Sequence, residues 1–118
     1  MDIMNAYLDS AIEAPEIVKA LKTFGVTQEE IASVVHVTPR AVRGWSTSAP
    51  RPARYDLLAE LRDLVSLLSD SLTPRGVKQW LVAKNRMLDG ARPIDVLAKG
   101  EFKQVEDAAH AFVDGAYV

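Results

Sequence analysis

Arginines spaced for contact with an anion are the first chemistry this chain offers. Between Pro39 and Arg54 lie Arg40, Arg43, Arg51 and Arg54, with no acid among them. A guanidinium group is a planar fork of N–H donors that fits a phosphate, or the acceptor edge of guanine. On a helix, Arg40 and Arg43 share one face, and Thr47 falls further along that side. Arg51 and Arg54 flank a proline-rich connector from which they can reach a nucleic-acid backbone. Thr38 serves first as a helix cap, with a phosphate contact as an added role. If Arg40 and Arg43 read bases, each is worth roughly 1–3 kcal/mol of discrimination.

Catalysis has no comparable footing. There is no cysteine nucleophile, no glycine-rich phosphate loop and no HExxH. His36 and His110 stand alone, without a second ligand at metal spacing. The acids are scattered over helix faces, where solubility explains them. The reading is a non-enzyme with no cofactor and no metal.

The elements that must position the arginines are two short helices. In Thr27–Trp45, TQEEIASVVHVTPRAVRGW, Thr27 and Glu30 fit a capping box, each satisfying a free amide at a helix start. Ile31, Val34 and Val35 give that helix an apolar stripe. Val37 is the apolar residue of the turn. Thr38 and Pro39 then signal a second start, an N-cap hydroxyl followed by a proline whose missing N–H costs nothing. The second helix puts Ala41, Val42 and Trp45 inward and the arginines outward. That division suits a recognition helix in DNA.

No stretch alternates as a strand does, so the fold class is all-α. Asn5–Ala14 and Pro15–Thr23 read as one or two helices stopped at Gly25. Ser48–Arg54, SAPRPAR, reads as an extended connector. Arg54–Leu72 is a long helix with Leu57, Leu61, Leu64 and Leu68 along one side, and Leu58, Val65 and Leu72 widening the stripe. That surface must be covered by other helices or by a second copy of the chain. Thr73–Pro74 opens a helix carrying Val77, Trp80 and Leu81. Asn85–Arg92 is an irregular link, Pro93–Ala98 a short helix, and Glu101–Val113 the last helix. Trp45 belongs in the core. Trp80 either packs the C-terminal part or sits in an interface. Two modules follow: residues 1–50, a helix-turn-helix DNA-binding module, and residues 51–118, a C-terminal helical module.

The 118 residues are 48% apolar and 25% charged, with a net charge of −2. This is no polycation that coats nucleic acid. Charge is local instead: up to Val35 six acids face only Lys19 and Lys22, and from Arg75 to Arg92 five basic residues face only Asp89. Local basic surface on an acidic protein fits focused phosphate contact. The lack of cysteine fits a reducing compartment. No signal peptide or membrane span is legible, so a soluble, cytoplasmic protein is expected.

The same residues carry a family resemblance. TQEEIASVVHVTPRAVRGW, the run Asn85-Arg-Met-Leu88 with Gly90, Pro93, Leu97, Gly100-Glu101 and Val105, and the closing Gly115-Ala-Tyr-Val118 resemble the Xre/MbcA/ParS antitoxins. These pair an Xre-like helix-turn-helix with a C-terminal toxin-binding domain. The likeness covers about the last four-fifths of the chain. It implies a type II antitoxin whose partner is a RES-domain toxin that destroys NAD, together with operator DNA through which the operon represses itself. By position, Gly115, Ala116, Tyr117 and Val118 would be the segment that enters the toxin's cleft, an aromatic, an aliphatic and a carboxylate filling a site for a charged dinucleotide. Trp80, Asn85 and Arg86 join them as candidate toxin-binding residues. The resemblance fits a homodimer or a hetero-oligomer with the toxin. One departure stands out: many Xre-like modules have glycine at the turn, where this chain has His36. A competing reading is a stand-alone helix-turn-helix repressor whose C-terminal helices serve dimerisation.

Overall fold

Five of the six prolines stand in the first turn of a helix, where their fixed φ and missing N–H are tolerated best. In the computed structural model, which describes residues 3–115, the chain folds into α1 (Ile3–Ser10), α2 (Ala14–Thr23), α3 (Gln28–Val35), α4 (Pro39–Gly44), α5 (Pro52–Ser69), α6 (Pro74–Val82), α7 (Pro93–Ala98) and α8 (Phe102–Val113), with a 3-10 turn at Arg86–Leu88. Among the described residues all regular structure is helical, as the sequence implies.

The start signals act as read. Thr27 Oγ1 accepts from the Glu30 amide at 3.1 Å, and the Thr27 amide donates to Glu30 Oε1 at 2.8 Å. Thr38 and Thr73 cap α4 and α6 by accepting from Ala41 N and Gly76 N. Several boundaries differ: α1 runs from Ile3 to Ser10 and not from Asn5 to Ala14, and α5 stops at Ser69 short of Leu72. α5 begins at Pro52 rather than Arg54, because a proline at the first position starts a helix, so the extended connector shrinks to the residues before it. α4 ends at Gly44, which leaves Thr47 in the turn that follows and not on the arginine face of the helix. The Gly44 carbonyl accepts from both Thr47 N and Ser48 N, and Pro50 then holds its predecessor extended.

α5 is the axis of the molecule. It touches α1, α2 and α3 on the N-terminal side and α6 and α8 on the other. Leu58, Leu61, Leu64, Val65 and Leu68 are all buried, so the leucine stripe is covered within the chain. Polar groups of α5 also finish the neighbouring link: Tyr55 Oη donates to the Ile12 carbonyl at 2.6 Å and Arg62 Nη1 to the Ala11 carbonyl at 2.8 Å. One core runs from Leu8 to Ala109 and includes Trp45, as expected. The radius of gyration, 13.5 Å, is that of a single packed body of this length.

Lys78 of α6 reaches across to α3. Its Nζ lies 2.6 Å from Glu30 Oε1, and its stem passes 3.5 Å from where a Cβ would stand on Gly25, a residue at φ +80° that ends α2. Partial burial pushes the Glu30 carboxyl up, but the Lys78 ammonium and the Thr27 amide outweigh it and hold the group below the ordinary value of 4.5. A lowered folded-state pKa stabilises the fold fully above the unfolded value and less as pH falls through the folded one. Lys78→Met is therefore expected to lower the melting temperature by a few degrees near pH 7, in keeping with a pair worth up to about 1 kcal/mol. That deficit should shrink as pH falls below 4.5 and the Glu30 carboxyl takes up its proton; thermal melts of both proteins through the acid range check it.

Candidate functional site

The turn between α3 and α4 sets where the arginines point. His36 caps α3 in the left-handed region, at φ 63° and ψ 46°. Glycine does this job after α2 and α7, at Gly25 and Gly100. Histidine adopts such a conformation at some cost, and here its ring compensates: Nε2 lies 2.7 Å from the Ala98 carbonyl at the end of α7. α3 also packs directly on both α4 and α7. A second tie fixes α4 itself, since Gln28 Nε2 donates to the Pro39 carbonyl at 3.2 Å.

On this frame Arg40 and Arg43 are exposed, while Val42 and Trp45 of the same segment are buried. Thr38 is exposed but its hydroxyl is occupied as the α4 cap. Arg51 and the half-buried Arg54 line a groove of about 500 Å³ with His36, Ala41 and Gly44, so tertiary folding brings the connector arginines against α4. Thr47 lines a different groove, with Glu13, Pro15 and Asp56, and its hydroxyl donates to the Gly44 carbonyl. Among the described residues none of these four arginines has an ion-pair partner, whereas Arg62, Lys78, Arg92 and Lys103 each have one. Acidic charge gathers elsewhere. Between α5 and α8, Glu60, Asp63, Glu106 and His110 line a groove, where burial first, and then Glu106, Asp56 and Asp63, push the Glu60 carboxyl up.

The second set of candidate residues lies at the end of α8. Trp80 of α6 is half-buried against Phe112, with ring centroids 6.4 Å apart and planes tilted by 53°. Its indole Nε1 is buried with no hydrogen-bond partner among the described residues. Such a group normally finds one. Gly115 follows α8, its amide donating to the Phe112 carbonyl at 3.1 Å. The 86–88 turn packs on α8 and carries exposed Arg86 and Met87, the latter 48% exposed. Asn85, by contrast, is buried and works within the loop: Oδ1 accepts from Met87 N at 2.9 Å, and its backbone amide and carbonyl engage Ala91, Leu88 and Gly90. Ala116, Tyr117 and Val118 lie outside the described residues. Sequence reasoning did not single out Met87, whose exposure only the structure shows, or the pairing of Phe112 with Trp80.

No family model matches the chain. A probable mycobacterial cidal antitoxin of Mycobacterium tuberculosis, Rv3188, is 65% identical over 115 residues, covering 98% of this chain and 100% of the relative. The chain belongs to the MbcA-like antitoxin family. The mycobacterial cidal antitoxin MbcA itself, from Mycobacterium bovis and from Mycobacterium tuberculosis, is 29% identical over 101 residues, covering 84% of this chain and 89% of the relative. A chain of the crystal structure of the Mycobacterium tuberculosis MbcT–MbcA toxin–antitoxin complex matches with a TM-score of 0.72 at 23% identity, over 100% of both chains. This antitoxin therefore shares that chain's overall fold, along its full length. Among its described residues no helix is long and apolar enough to cross a membrane, and no cluster of side chains is arranged to hold a metal ion.

The turn of this antitoxin makes a direct test. His36→Gly removes the backbone cost and the ring contact together, so stability should stay within about 1 kcal/mol of the parent. His36→Val keeps the cost, loses the contact and places a β-branched residue at positive φ, so it should destabilise by more than the glycine does. Denaturant unfolding of the two variants measures the difference.

Proposed function

We propose that this protein neutralises a RES-domain toxin that degrades NAD, by covering the toxin's active site, and that it represses its own operon by binding operator DNA. In this reading residues 1–50 act as a helix-turn-helix module and residues 51–118 as the toxin-binding module, as two faces of one packed body. The observation that carries the reading is the full-length likeness to an antitoxin, joined to a surface with two chemically distinct faces.

The DNA arm rests on α4. It presents Arg40 and Arg43 to solvent without partners, while its inner side is anchored by Val42. Exposed, unpaired guanidinium groups on a rigidly seated helix fit a major groove, and Arg51 and Arg54 fit the flanking backbone. The toxin arm rests on the end of α8. Trp80, with its unsatisfied indole N–H, packs on Phe112, and the 86–88 turn with exposed Met87 and Arg86 packs on the same helix; aromatic residues, Met and Arg are common at protein interfaces. Gly115, Ala116, Tyr117 and Val118, which follow α8 in sequence, are the segment that enters the toxin's cleft in this reading. The competing stand-alone repressor reading would dimerise through the α5 stripe, of which Leu58, Leu61, Leu64 and Leu68 are buried within the chain while Leu57 and Leu72 are half-buried. DNA binding through half-sites favours a dimer or a toxin-linked assembly, with the cytoplasm as the site of action.

Co-expression tests the toxin arm. The gene beside this one should encode a protein that depletes NAD and arrests growth when expressed alone, and the antitoxin should copurify with it and restore both. Deleting residues 116–118 should leave folding intact but weaken neutralisation. A neighbour that leaves NAD and growth untouched when expressed alone overturns the arm.

For the DNA arm, the double variant Arg40→Ala, Arg43→Ala should lose operator affinity by at least about tenfold at fixed salt, with toxin binding unchanged. Fluorescence anisotropy on operator duplex measures the first quantity and calorimetric titration with toxin the second.

A further inference from the structure

We infer that α2 supplies a second row of DNA contacts, in which Lys19 and Lys22, with Arg43 of α4, seat the phosphate backbone of duplex DNA beside the bases that α4 reads. This rests on the DNA-binding reading above and extends it to a helix outside the α3–α4 pair. In the linear sequence these two lysines are submerged, since up to Val35 they face six acids. None of those acids lines the groove that the two lysines share with α4.

Lys19 and Lys22 stand three residues apart on α2, so they share a face, turned away from buried Ile17, Ala20 and Leu21. That face and α4 enclose an open groove of about 470 Å³ whose lining includes Lys19, Lys22, Gln28, Arg43 and Ser46 and contains three cations and no acid. The acid of α2, Glu16, is held at the helix start, where Oε1 accepts from the Glu13 amide. Lys22 is fixed in place: Nζ donates to Gln28 Oε1 at 3.2 Å, and Gln28 Nε2 donates on to the Pro39 carbonyl at 3.2 Å. A chain of two hydrogen bonds thus ties the ammonium to the first turn of α4. Neither Lys19 nor Arg43 has an ion-pair partner among the described residues.

Three cations sharing one groove without a counter-charge raise a local positive potential, and the fitting occupant is a polyanion. Arg43 decides which. It lies in the last turn of α4 and also lines the groove, so a duplex that engages α4 brings its flanking strand to α2 next. Lysine ammonium groups suit phosphate oxygens, and such contacts position a protein on DNA without selecting sequence. Their signature is salt dependence, because each phosphate neutralised releases condensed counterions, with a slope of about −0.9 per contact.

The test uses full-length protein with a duplex from its own upstream region and an unrelated duplex of equal length, titrated by anisotropy between 50 and 300 mM KCl. Lys19→Ala with Lys22→Ala should weaken both duplexes by the same factor and reduce the slope of log K against log [KCl] by about 1 to 2. Lys19→Arg with Lys22→Arg should restore the slope, and toxin binding should not change. If the alanine pair fails to fold, Lys19→Ala alone, which removes no hydrogen bond seen here, should still lower the slope by about 1. An unchanged slope, while Arg40→Ala with Arg43→Ala abolishes operator binding, overturns the seat and leaves the DNA reading standing. Loss confined to the upstream duplex also overturns it, since that is base reading. If the parent protein binds neither duplex, the DNA reading fails and the seat fails with it.

Discussion

The burial of α5 is the constraint on which the rest of this molecule depends. Its leucines fill the space between the helices before residue 50 and those after residue 70, and it touches α1, α2, α3, α6 and α8. Each fully buried leucine contributes roughly 1.5–3 kcal/mol of transfer free energy, so five buried aliphatic side chains outweigh any polar contact in the structure. Because both halves share this helix, neither can keep its core without the other. The connector from Ser48 to Arg51 is therefore an arm laid along one body, and the Arg51 and Arg54 side chains end beside α4 as a consequence.

A shared core also links the two faces. α3 lies against α4 on one side and α7 on the other, and His36 reaches from the turn to the Ala98 carbonyl. Lys78 adds a further tie between α6 and the start of α3. These contacts hold the exposed arginines at a fixed distance and angle from the Trp80–Phe112 edge.

Charge on the surface is sorted by the fold more than by the sequence. Overall the chain is slightly acidic, yet unpaired cations collect around α4 while Glu60, Asp63 and Glu106 collect between α5 and α8. The two grooves therefore carry opposite local potentials on one small body.

The amino-acid sequence by itself determined the helices and their starts. Proline, threonine and glycine act on backbone groups within four residues of themselves, so the Thr27–Glu30 capping box, the Thr38–Pro39 and Thr73–Pro74 starts and the stop at Gly25 were legible without any tertiary information. Periodicity likewise marked the leucine stripe and placed Trp45 inside. Local signals also misplaced several ends, both ends of α1 among them, and around the arginines Gly44, Pro50 and Pro52 set where α4 stopped and α5 began. What covers an apolar stripe, however, depends on partners far along the chain, and so only the tertiary structure decided that α5 is wrapped by its own helices. It alone set Trp80 against Phe112 and placed Lys19 and Lys22 beside Arg43. These are long-range packing outcomes, in which residues more than twenty positions apart are joined by the shape of the whole core, and no local spacing records them.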